Sequence, residues 1–270
     1  MDLPLVPESF HWTQESWGPA LRCRPLDQFA PHLFSSRQLS LSSTADYQAL
    51  ARAVGVDRVV ALTQVHGAAV SVVRRGAALP QEPAAADVLI SDEPDVAIAV
   101  RAADCVPLLL ADRTTGAVAA VHAGWRGTAA RAAVAALDAM RRDFGTRPAD
   151  LVIAIGPSIG PCCYQVGSDV VDAFAAAGHG RYLIDRWFST PAVADGADEA
   201  GRRAPGARTR LQLRLDVAGA NRDQLVLAGV PEREIHAVGL CTAMHLDVLT
   251  SYRAEKENAG RIAGIIRCRK

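Results

Sequence analysis

Three residues that can bind a metal ion, His66, Cys105 and His122, each stand at the end of an apolar, strand-like stretch of the sequence. Two imidazoles and one thiolate suit a single Zn²⁺ ion, with a fourth position left for water or substrate. A closed structural site would need a fourth protein ligand. Because the three residues come from distant parts of the sequence, they predict either a catalytic metal centre or a Cys–His pair with a nucleophilic thiol.

Two of these residues also have a simpler structural interpretation. His66 can be a turn histidine between two strands, although Gly67 would relax the backbone beside a ligand. Cys105 can be a buried structural thiol. However, Arg101 and Asp104 lie close to it in an apolar stretch, where charged residues are rare without a partner. A nearby cation or metal ion would lower the pKa of the thiol and generate the thiolate.

The segment after His122 predicts an anion site. A strand runs into the turn Gly-Trp-Arg126-Gly127, and a helix follows, so free backbone N–H groups and a favourable dipole would face an anion. Arg126 can add a bidentate contact to phosphate or carboxylate. The alternative is a turn whose glycines serve geometry alone. A second Gly/Pro loop ends at Tyr164, which either stacks on a flat ring or belongs to a rigid turn.

The elements that must position these residues follow from the apolar pattern. Residues rich in Val, Leu and Ile predict strands over 58–65, 69–74, 87–91, 96–104, 107–112, 117–123, 150–156, 234–241 and 260–267. Helices are expected over 46–55, 128–143 (capped by Thr128), 168–177 and 214–229. Residues 187–209, rich in Ala, Gly, Asp, Arg and Pro, predict a loop excursion. This order predicts an α/β (mixed α+β) fold, with a mixed sheet and helices packed on it.

The chain has 270 residues, is 50% hydrophobic and carries no formal net charge. These values predict a single domain over residues 1–270 with one substantial core. They argue against a nucleic-acid partner, and no stretch approaches the roughly 20 apolar residues of a membrane span. The acidic, proline-broken start does not resemble a signal peptide. We expect a cytoplasmic protein with reduced cysteines, no membrane contact and no obligate protein partner.

Seven motifs occur together in one order: TQVHG, ADVLIS, RAADCVPLLLAD, VHAGWRGT, IGPSIGPCCYQVG, LDVAGANRDQLVLAGV and CTAMHLDVLTSYR followed by AGR. Over about residues 58–270 the chain therefore resembles the laccase-like multicopper polyphenol oxidase family, also named purine nucleoside phosphorylase or peptidoglycan editing factor. The resemblance implies a β-sheet sandwich with flanking helices, related to cysteine hydrolases. It also implies that His66, Cys105 and His122 are the metal ligands.

The activities implied by the resemblance are phosphorolysis of adenosine, inosine, guanosine and methylthioadenosine, deamination of adenosine, and editing of peptidoglycan precursors. The chain departs from the family pattern where VLTSYR replaces an aromatic-rich FFSYR and AGR replaces TGR, which affects the expected substrate preference more than the metal site. Purine nucleoside and phosphate are therefore the expected small-molecule partners. The predicted substrate contacts are Gln64, Arg126, Gly127, Tyr164 and Arg253.

The histidine count bears on the oxidase name. A multicopper oxidase needs a blue-copper site and a trinuclear cluster, whereas this chain has seven histidines and no His-x-His pair. The ligands suffice for one metal ion, Zn²⁺ first and Cu²⁺ second. The leading hypothesis is a zinc-dependent purine nucleoside phosphorylase and adenosine deaminase, with Asp104 as a possible acid. The alternatives are a thiol hydrolase, with Cys105 as nucleophile and His122 as base, and a non-enzymatic binding protein.

Overall fold

The computed structural model describes residues 2–190 and 213–269. The strands in these ranges are, in chain order, β1 (Phe10–Glu15), β2 (Gly18–Cys23), β3 (His32–Ser35), β4 (Val59–Ala61), β5 (Val70–Val73), β6 (Val88–Ser91), β7 (Ala97–Ala102), β8 (Val106–Asp112), β9 (Val118–Ala123), β10 (Leu151–Ile155), β11 (Gln165–Val166), β12 (Phe188–Ser189), β13 (Leu213–Leu215), β14 (Ile235–Ala237) and β15 (Ile262–Ile266). The α-helices are α1 (Arg24–Asp27), α2 (Thr44–Ala53), α3 (Trp125–Ala129), α4 (Ala132–Phe144), α5 (Ser168–Ala176), α6 (Arg181–Trp187), α7 (Val217–Leu227) and α8 (Tyr252–Glu255). Among the described residues, no helix has the length and apolarity needed to cross a bilayer.

Two six-stranded sheets organise the described part of the chain. The first sheet has the order β1-β2-β3-β15-β7-β4, and the second has the order β14-β10-β8-β9-β6-β5. Both are mixed: β4 pairs with β7 in parallel, as do β5 with β6 and β10 with β14, while the other neighbours are antiparallel. A small third sheet has the order β11-β13-β12.

Alternating side chains of the central strands place the two sheets face to face. Leu109 and Ala111 of β8 belong to one core cluster, together with Ile98 of β7 and residues of β15. Leu108 and Leu110, on the opposite face of β8, pack in a second cluster with α4, α5 and α7. A third cluster joins the outer face of the first sheet to α2. Successive strand residues point to opposite faces, so the arrangement is a sheet sandwich with helices on both outer sides.

This architecture confirms the predicted α/β class and the mixed-sheet sandwich with flanking helices. Several strands are apolar without alternation because both of their faces are covered. The connection between β7 and β8 passes from the first sheet to the second and contains Cys105. That crossing brings residues from both sheets to one end of the sandwich. The single-domain assignment stays a prediction.

The predicted helix 128–143 is wrong in its first turns. The chain forms α3 and then α4, separated by Arg131 in a left-handed conformation with φ of 60°. The Arg131 guanidinium donates to the carbonyl oxygens of Ala177 and Gly178, so a tertiary contact accompanies the break. Thr128 does not cap a helix; its buried hydroxyl accepts a hydrogen bond from Asn221 at 2.8 Å.

The predicted helix 214–229 begins too early, and two neighbouring assignments also change. Leu213–Leu215 forms β13 because it pairs with β11 and β12, and the helix starts after Asp216, whose side chain accepts the Gly219 N–H at 2.8 Å. The strand predicted over 234–241 is limited to β14. Of the excursion predicted over 187–209, the first residues end α6 and form β12, and residues 191–209 lie outside the described residues.

Candidate metal centre

The three predicted ligands meet at one end of the sandwich. A ligand atom from each of His66, Cys105 and His122 lies within 4.8 Å of the other two. His66 lies in the loop after β4, Cys105 immediately precedes β8, and His122 is in β9. His66 is exposed, Cys105 is half-buried and His122 is buried. The cluster therefore has a fixed inner side and an outer side that is open to a substrate.

A buried carboxylate orients both histidines. Asp87, which precedes β6, lies 2.8 Å from Nδ1 of His122 through Oδ1. The same carboxylate accepts the backbone N–H groups of His66 and Gly67 at 2.9 and 2.6 Å. Burial acts to raise the pKa of Asp87, but hydrogen bonds from His122 and Gly67 outweigh it and lower this pKa overall. Because Nδ1 of His122 contacts Asp87, Nε2 is the ring nitrogen that is left for a metal ion. Metal-binding histidines are commonly oriented by a carboxylate in this way.

His66 itself takes the strained backbone conformation in this loop. Its φ is 61°, a left-handed value that non-glycine residues adopt rarely. From the sequence we expected Gly67 to relax the backbone at this point. In the structure the positive φ belongs to His66 and not to Gly67. The backbone hydrogen bonds to Asp87 hold the strained residue in place. Partial burial, together with neighbouring His122, lowers the pKa of His66, which favours the neutral imidazole that binds metals.

Cys105 packs closely against the glycine turn after β9. A Cβ atom added to Gly124 would lie 2.7 Å from the Cys105 sulfur, so a side chain there would displace the thiol. A Cβ added to Gly127 would lie 2.9 Å from the carbonyl oxygen of Gly67. Burial, with the negative charges of Asp104 and Asp87, raises the pKa of the Cys105 thiol to about 12. Without a bound cation the sulfur therefore stays protonated at neutral pH.

Asp104 joins the metal-ligand side to the C-terminal part of the chain. Its two carboxylate oxygens accept hydrogen bonds from the Thr242 hydroxyl and from the backbone N–H of Arg253, each at 2.6 Å. Its carbonyl oxygen accepts the N–H of Ile159 at 2.9 Å. Asp104 has a φ of 85°, so several contacts fix a backbone conformation that is otherwise unfavourable.

A cavity of about 880 Å³ contains all three ligands in its wall. We call His66, Cys105, His122 and the supporting Asp87 the ligand wall. The basic side chains of Arg253, Lys256 and Arg261 also line the cavity, and we call them the basic rim. A cavity with a metal-ligand side and a cationic side can hold a small anionic or partly anionic substrate.

Three of the five predicted substrate contacts line this cavity: Gln64, Tyr164 and Arg253. The Gln64 amide exchanges two hydrogen bonds with the backbone of Arg101, at 2.7 and 2.8 Å. The Arg253 guanidinium lies 5.2 Å from the centre of the Tyr164 ring and donates to the carbonyl oxygen of Gln165 at 2.9 Å. Partial burial and the nearby Cys105 raise the pKa of the Tyr164 phenol, so it stays protonated.

The other two predicted contacts lie beside the cavity. Arg126 and Gly127 are not among the described residues that line it. Arg126 is exposed, and its guanidinium carbon lies 4.2 Å from the centre of the Trp125 ring. Gly127 is buried where α3 approaches the His66 loop. The predicted anion site at this turn stays a prediction, whereas the close approach of the turn to Cys105 is a feature of the fold.

The family model described as multi-copper polyphenol oxidoreductase laccase matches residues 40–269 of the chain. A protein of Bacteroides thetaiotaomicron named purine nucleoside phosphorylase is 36% identical over 176 residues, which are 65% of this chain and 58% of that protein. The chain thus spans less than two thirds of the length of this relative. Adenosine deaminase RL5, from an unknown prokaryotic organism, is 34% identical over 221 residues, covering 79% of this chain and 77% of the relative.

A third relative has a solved structure. Purine nucleoside phosphorylase YlmD of Geobacillus stearothermophilus is 34% identical over 217 residues, covering 78% of this chain and 72% of the relative. The crystal structure of YlmD from that organism aligns with a TM-score of 0.74 and 27% identity, covering 96% of this chain and 99% of the solved chain. The similarity therefore extends over nearly the whole fold.

Proposed function

Because the chain belongs to the multi-copper polyphenol oxidoreductase laccase family, in which relatives are named purine nucleoside phosphorylase and adenosine deaminase, we propose that it is a zinc-dependent purine nucleoside phosphorylase that also deaminates adenosine. The expected substrates are adenosine, inosine, guanosine and methylthioadenosine. The family resemblance inferred from the motifs is confirmed by the family match.

The observation that carries this proposal is that one cavity is lined both by His66, Cys105 and His122 of the ligand wall and by the basic rim. Ligand atoms of His66, Cys105 and His122 lie within 4.8 Å of one another. The cavity of about 880 Å³ is within the size range of small-molecule sites. The guanidinium and ammonium groups of Arg253, Lys256 and Arg261 suit phosphate, and Tyr164 offers an aromatic ring for a purine.

The ligand wall fits a single zinc ion. Two imidazoles and a thiolate supply three zinc-binding groups and leave a fourth position open, as in catalytic zinc sites, and Asp87 supplies a carboxylate partner for His122. Cu²⁺ is the second candidate. Two of the remaining histidines are used in the interior: His32 accepts the Cys23 N–H at 2.9 Å, and Nε2 of His179 bonds to a carbonyl oxygen at 2.8 Å. This use of histidine argues against the several copper ions of a polyphenol oxidase.

The residues of the chain then have separate roles. A bound zinc ion supplies Lewis-acid chemistry and can activate water at neutral pH. The rim holds phosphate so that one of its oxygens can attack the anomeric carbon while the bond to the purine nitrogen breaks. Tyr164 stacks on the base and, as a protonated phenol, can donate a hydrogen bond. Both oxygens of Asp104 already accept hydrogen bonds, so we assign it a positioning role for Arg253 in place of the acid role.

The test is a comparison of metal-stripped and zinc-reconstituted protein with a nucleoside panel, with and without phosphate, with products identified by mass. We expect ribose 1-phosphate and free purine only when both zinc and phosphate are present, and inosine from adenosine when phosphate is omitted. Equal turnover by the stripped and reconstituted proteins would contradict zinc dependence. A zinc-loaded protein that leaves all the nucleosides unchanged would contradict the proposed substrate class.

A second candidate function is supported by the Asp87–His122 contact. A carboxylate that orients a histidine beside a thiol is also the arrangement of a cysteine hydrolase. Cys105 would attack the amide carbon of a peptidoglycan precursor while His122 accepts the thiol proton. The C–N bond would then break as His122 gives that proton to the leaving amine, and water would hydrolyse the resulting thioester. The raised pKa of Cys105 weighs against this function, because little thiolate exists at neutral pH. Rapid alkylation of Cys105 by iodoacetamide in metal-free protein, with loss of amide cleavage, would favour the hydrolase.

A further inference from the structure

A second group of possible metal ligands lies outside the ligand wall. Sulfur atoms of Cys162, Cys163 and Cys241 all lie within 4.8 Å of one another. Within residues 2–190 and 213–269, this group contains three thiols and no histidine or carboxylate. The fold brings Cys241 to a pair of adjacent cysteines, Cys162 and Cys163, that are far away in the chain.

Backbone contacts fix this arrangement. A parallel bridge joins Ser158 to Cys241, and the Ser158 carbonyl oxygen accepts the Thr242 N–H at 3.0 Å. The loop then turns at Gly160, whose carbonyl oxygen accepts the N–H of Cys163 at 3.0 Å. A Cβ atom added to Gly160 would lie 3.3 Å from both the Cys162 sulfur and the Cys241 Cβ. The absence of a side chain at Gly160 therefore lets the cysteines approach one another.

The three sulfurs are electrostatically unlike. The N–H of Gly160 points to the Cys241 sulfur at 3.3 Å. Burial acts to raise the pKa of Cys241, yet hydrogen bonds from the Gly160 N–H and from Cys162 lower it overall. Burial raises the pKa of Cys163 to about 12. Cys241 is therefore the most readily ionised thiol of the three, and a bound metal ion would displace the remaining thiol protons to solvent.

We propose that Cys162, Cys163 and Cys241 form a second metal site that binds one thiophilic ion, Cu(I) in preference to Zn²⁺. Thiolates are soft ligands that suit both Cu(I) and Zn²⁺, so the number of ligands decides between the two ions. Zn²⁺ in a structural site takes four ligands, and the described residues supply three. Cys162 is exposed and Cys241 is buried, so the ion has a route of entry and an inner anchor. The site does not depend on the proposed nucleoside chemistry.

The experiment separates this site from the ligand wall by using the full-length Cys105→Ser protein, which lacks the thiol of the first centre. The reduced protein is titrated anaerobically with Cu(I) against a colorimetric Cu(I) chelator. We expect one equivalent of Cu(I) to be withheld from the chelator, with ultraviolet absorption from thiolate-to-copper charge transfer. Adding Cys162→Ser and Cys163→Ser should abolish both signals. Adding Cys23→Ser, which removes a buried thiol elsewhere, should preserve both.

The proposal would be overturned if the Cys105→Ser protein withheld no Cu(I), or if binding were undiminished after Cys162→Ser and Cys163→Ser. X-ray absorption of the loaded Cys105→Ser protein should give a first shell of sulfur, and a shell of nitrogen or oxygen would also contradict it. Cys241→Ser replaces a buried residue. If the Cys241→Ser protein does not fold, the protein with Cys162→Ser and Cys163→Ser decides whether the second metal site exists. If the protein binds no Cu(I) and contains a Cys162–Cys241 disulfide, the metal site is contradicted and the two cysteines form a redox pair.

Discussion

The ligand wall and the basic rim face the same cavity but are held in different ways. Asp87 is fully buried and His122 is 3% exposed. His122 lies in β9 and Asp87 immediately precedes β6, and both strands belong to the second sheet. The rim residues Lys256 and Arg261 are exposed and lie on the segment after α8. A buried hydrogen-bond network fixes geometry, whereas exposed charges mainly supply a screened electric field. Changes to the wall should therefore weaken or abolish metal binding, and changes to the rim should weaken substrate binding alone.

The largest effect is expected for Cys105→Ser in the ligand wall. A serine hydroxyl is a poor ligand for zinc beside two imidazoles, so the protein should lose its bound zinc at this centre, and nucleoside turnover should fall to background. Elemental analysis and product formation measure the two effects on one sample. The matched control is Cys268→Ser, which changes a buried thiol that donates to the Ser91 carbonyl oxygen away from the ligand wall; it should keep both properties. Full zinc content in the Cys105→Ser protein would contradict the assignment of Cys105 as a zinc ligand.

Asp87→Asn should have the second-largest effect, because it changes the group that orients His122 without removing a ligand. Loss of a carboxylate partner typically weakens metal affinity or activity by about 10–100-fold. Competition with a zinc chelator measures the affinity. Asp112→Asn is the matched control, since Asp112 is also a buried carboxylate at a strand end, where it accepts the Thr114 N–H at 2.8 Å. Equal zinc affinity in Asp87→Asn and the parent would mean that the contact is only structural.

Arg253→Ala removes a guanidinium group of the basic rim. A charge-assisted hydrogen bond is worth about 1.5–3 kcal/mol, so the KM for phosphate should rise by about tenfold or more. The zinc content should not change, because the backbone N–H that binds Asp104 remains. Steady-state kinetics at varied phosphate measures KM and kcat separately. Arg181→Ala, in an exposed ion pair on α6, serves as the control. Loss of zinc in Arg253→Ala would show that the rim also supports the metal.

The smallest effect is expected for Lys256→Ala. An exposed charge contributes about 0.2–1 kcal/mol, which predicts a rise of roughly 1.4- to fivefold in the KM for phosphate. Salt screens exposed charges, so the difference between the variant and the parent should shrink as ionic strength increases. Kinetics in low and high salt measure it. A salt-independent effect would contradict a purely electrostatic role for the exposed rim.

The difference between wall and rim also explains what could be predicted from the sequence. His66, Cys105 and His122 could be identified because their residue types are uncommon at the ends of apolar strands. Asp87 was missed, although it precedes an apolar strand, because its contact with His122 spans 35 positions in the sequence. Local patterns carry no information about such a pairing. The positive φ of His66 could not be predicted for the same reason, because this conformation depends on backbone hydrogen bonds to Asp87.

Other differences come from tertiary contacts that override a local pattern. The alanine-rich segment around Arg131 favours one helix. In the structure it forms two helices, and Arg131 between them donates hydrogen bonds to the loop at Ala177 and Gly178. The thiol group of Cys162, Cys163 and Cys241 depends on the pairing of Ser158 with Cys241, which no spacing indicates. The inner strands were predicted well because burial on both faces demands continuous apolar residues. Strands β1–β3 were not assigned, because their residues are mixed.

In the proposed function, the ligand wall serves phosphorolysis of a nucleoside. The most direct measurement incubates the zinc-loaded protein and its Cys105→Ser variant with adenosine and phosphate labelled with heavy oxygen, followed by mass spectrometry of the sugar product. We expect the parent protein to form ribose 1-phosphate that retains every label, because a phosphate oxygen attacks the anomeric carbon, and the variant to form none. Unlabelled ribose as the product, or labelled ribose 1-phosphate from the variant at the parent's rate, would contradict the claim.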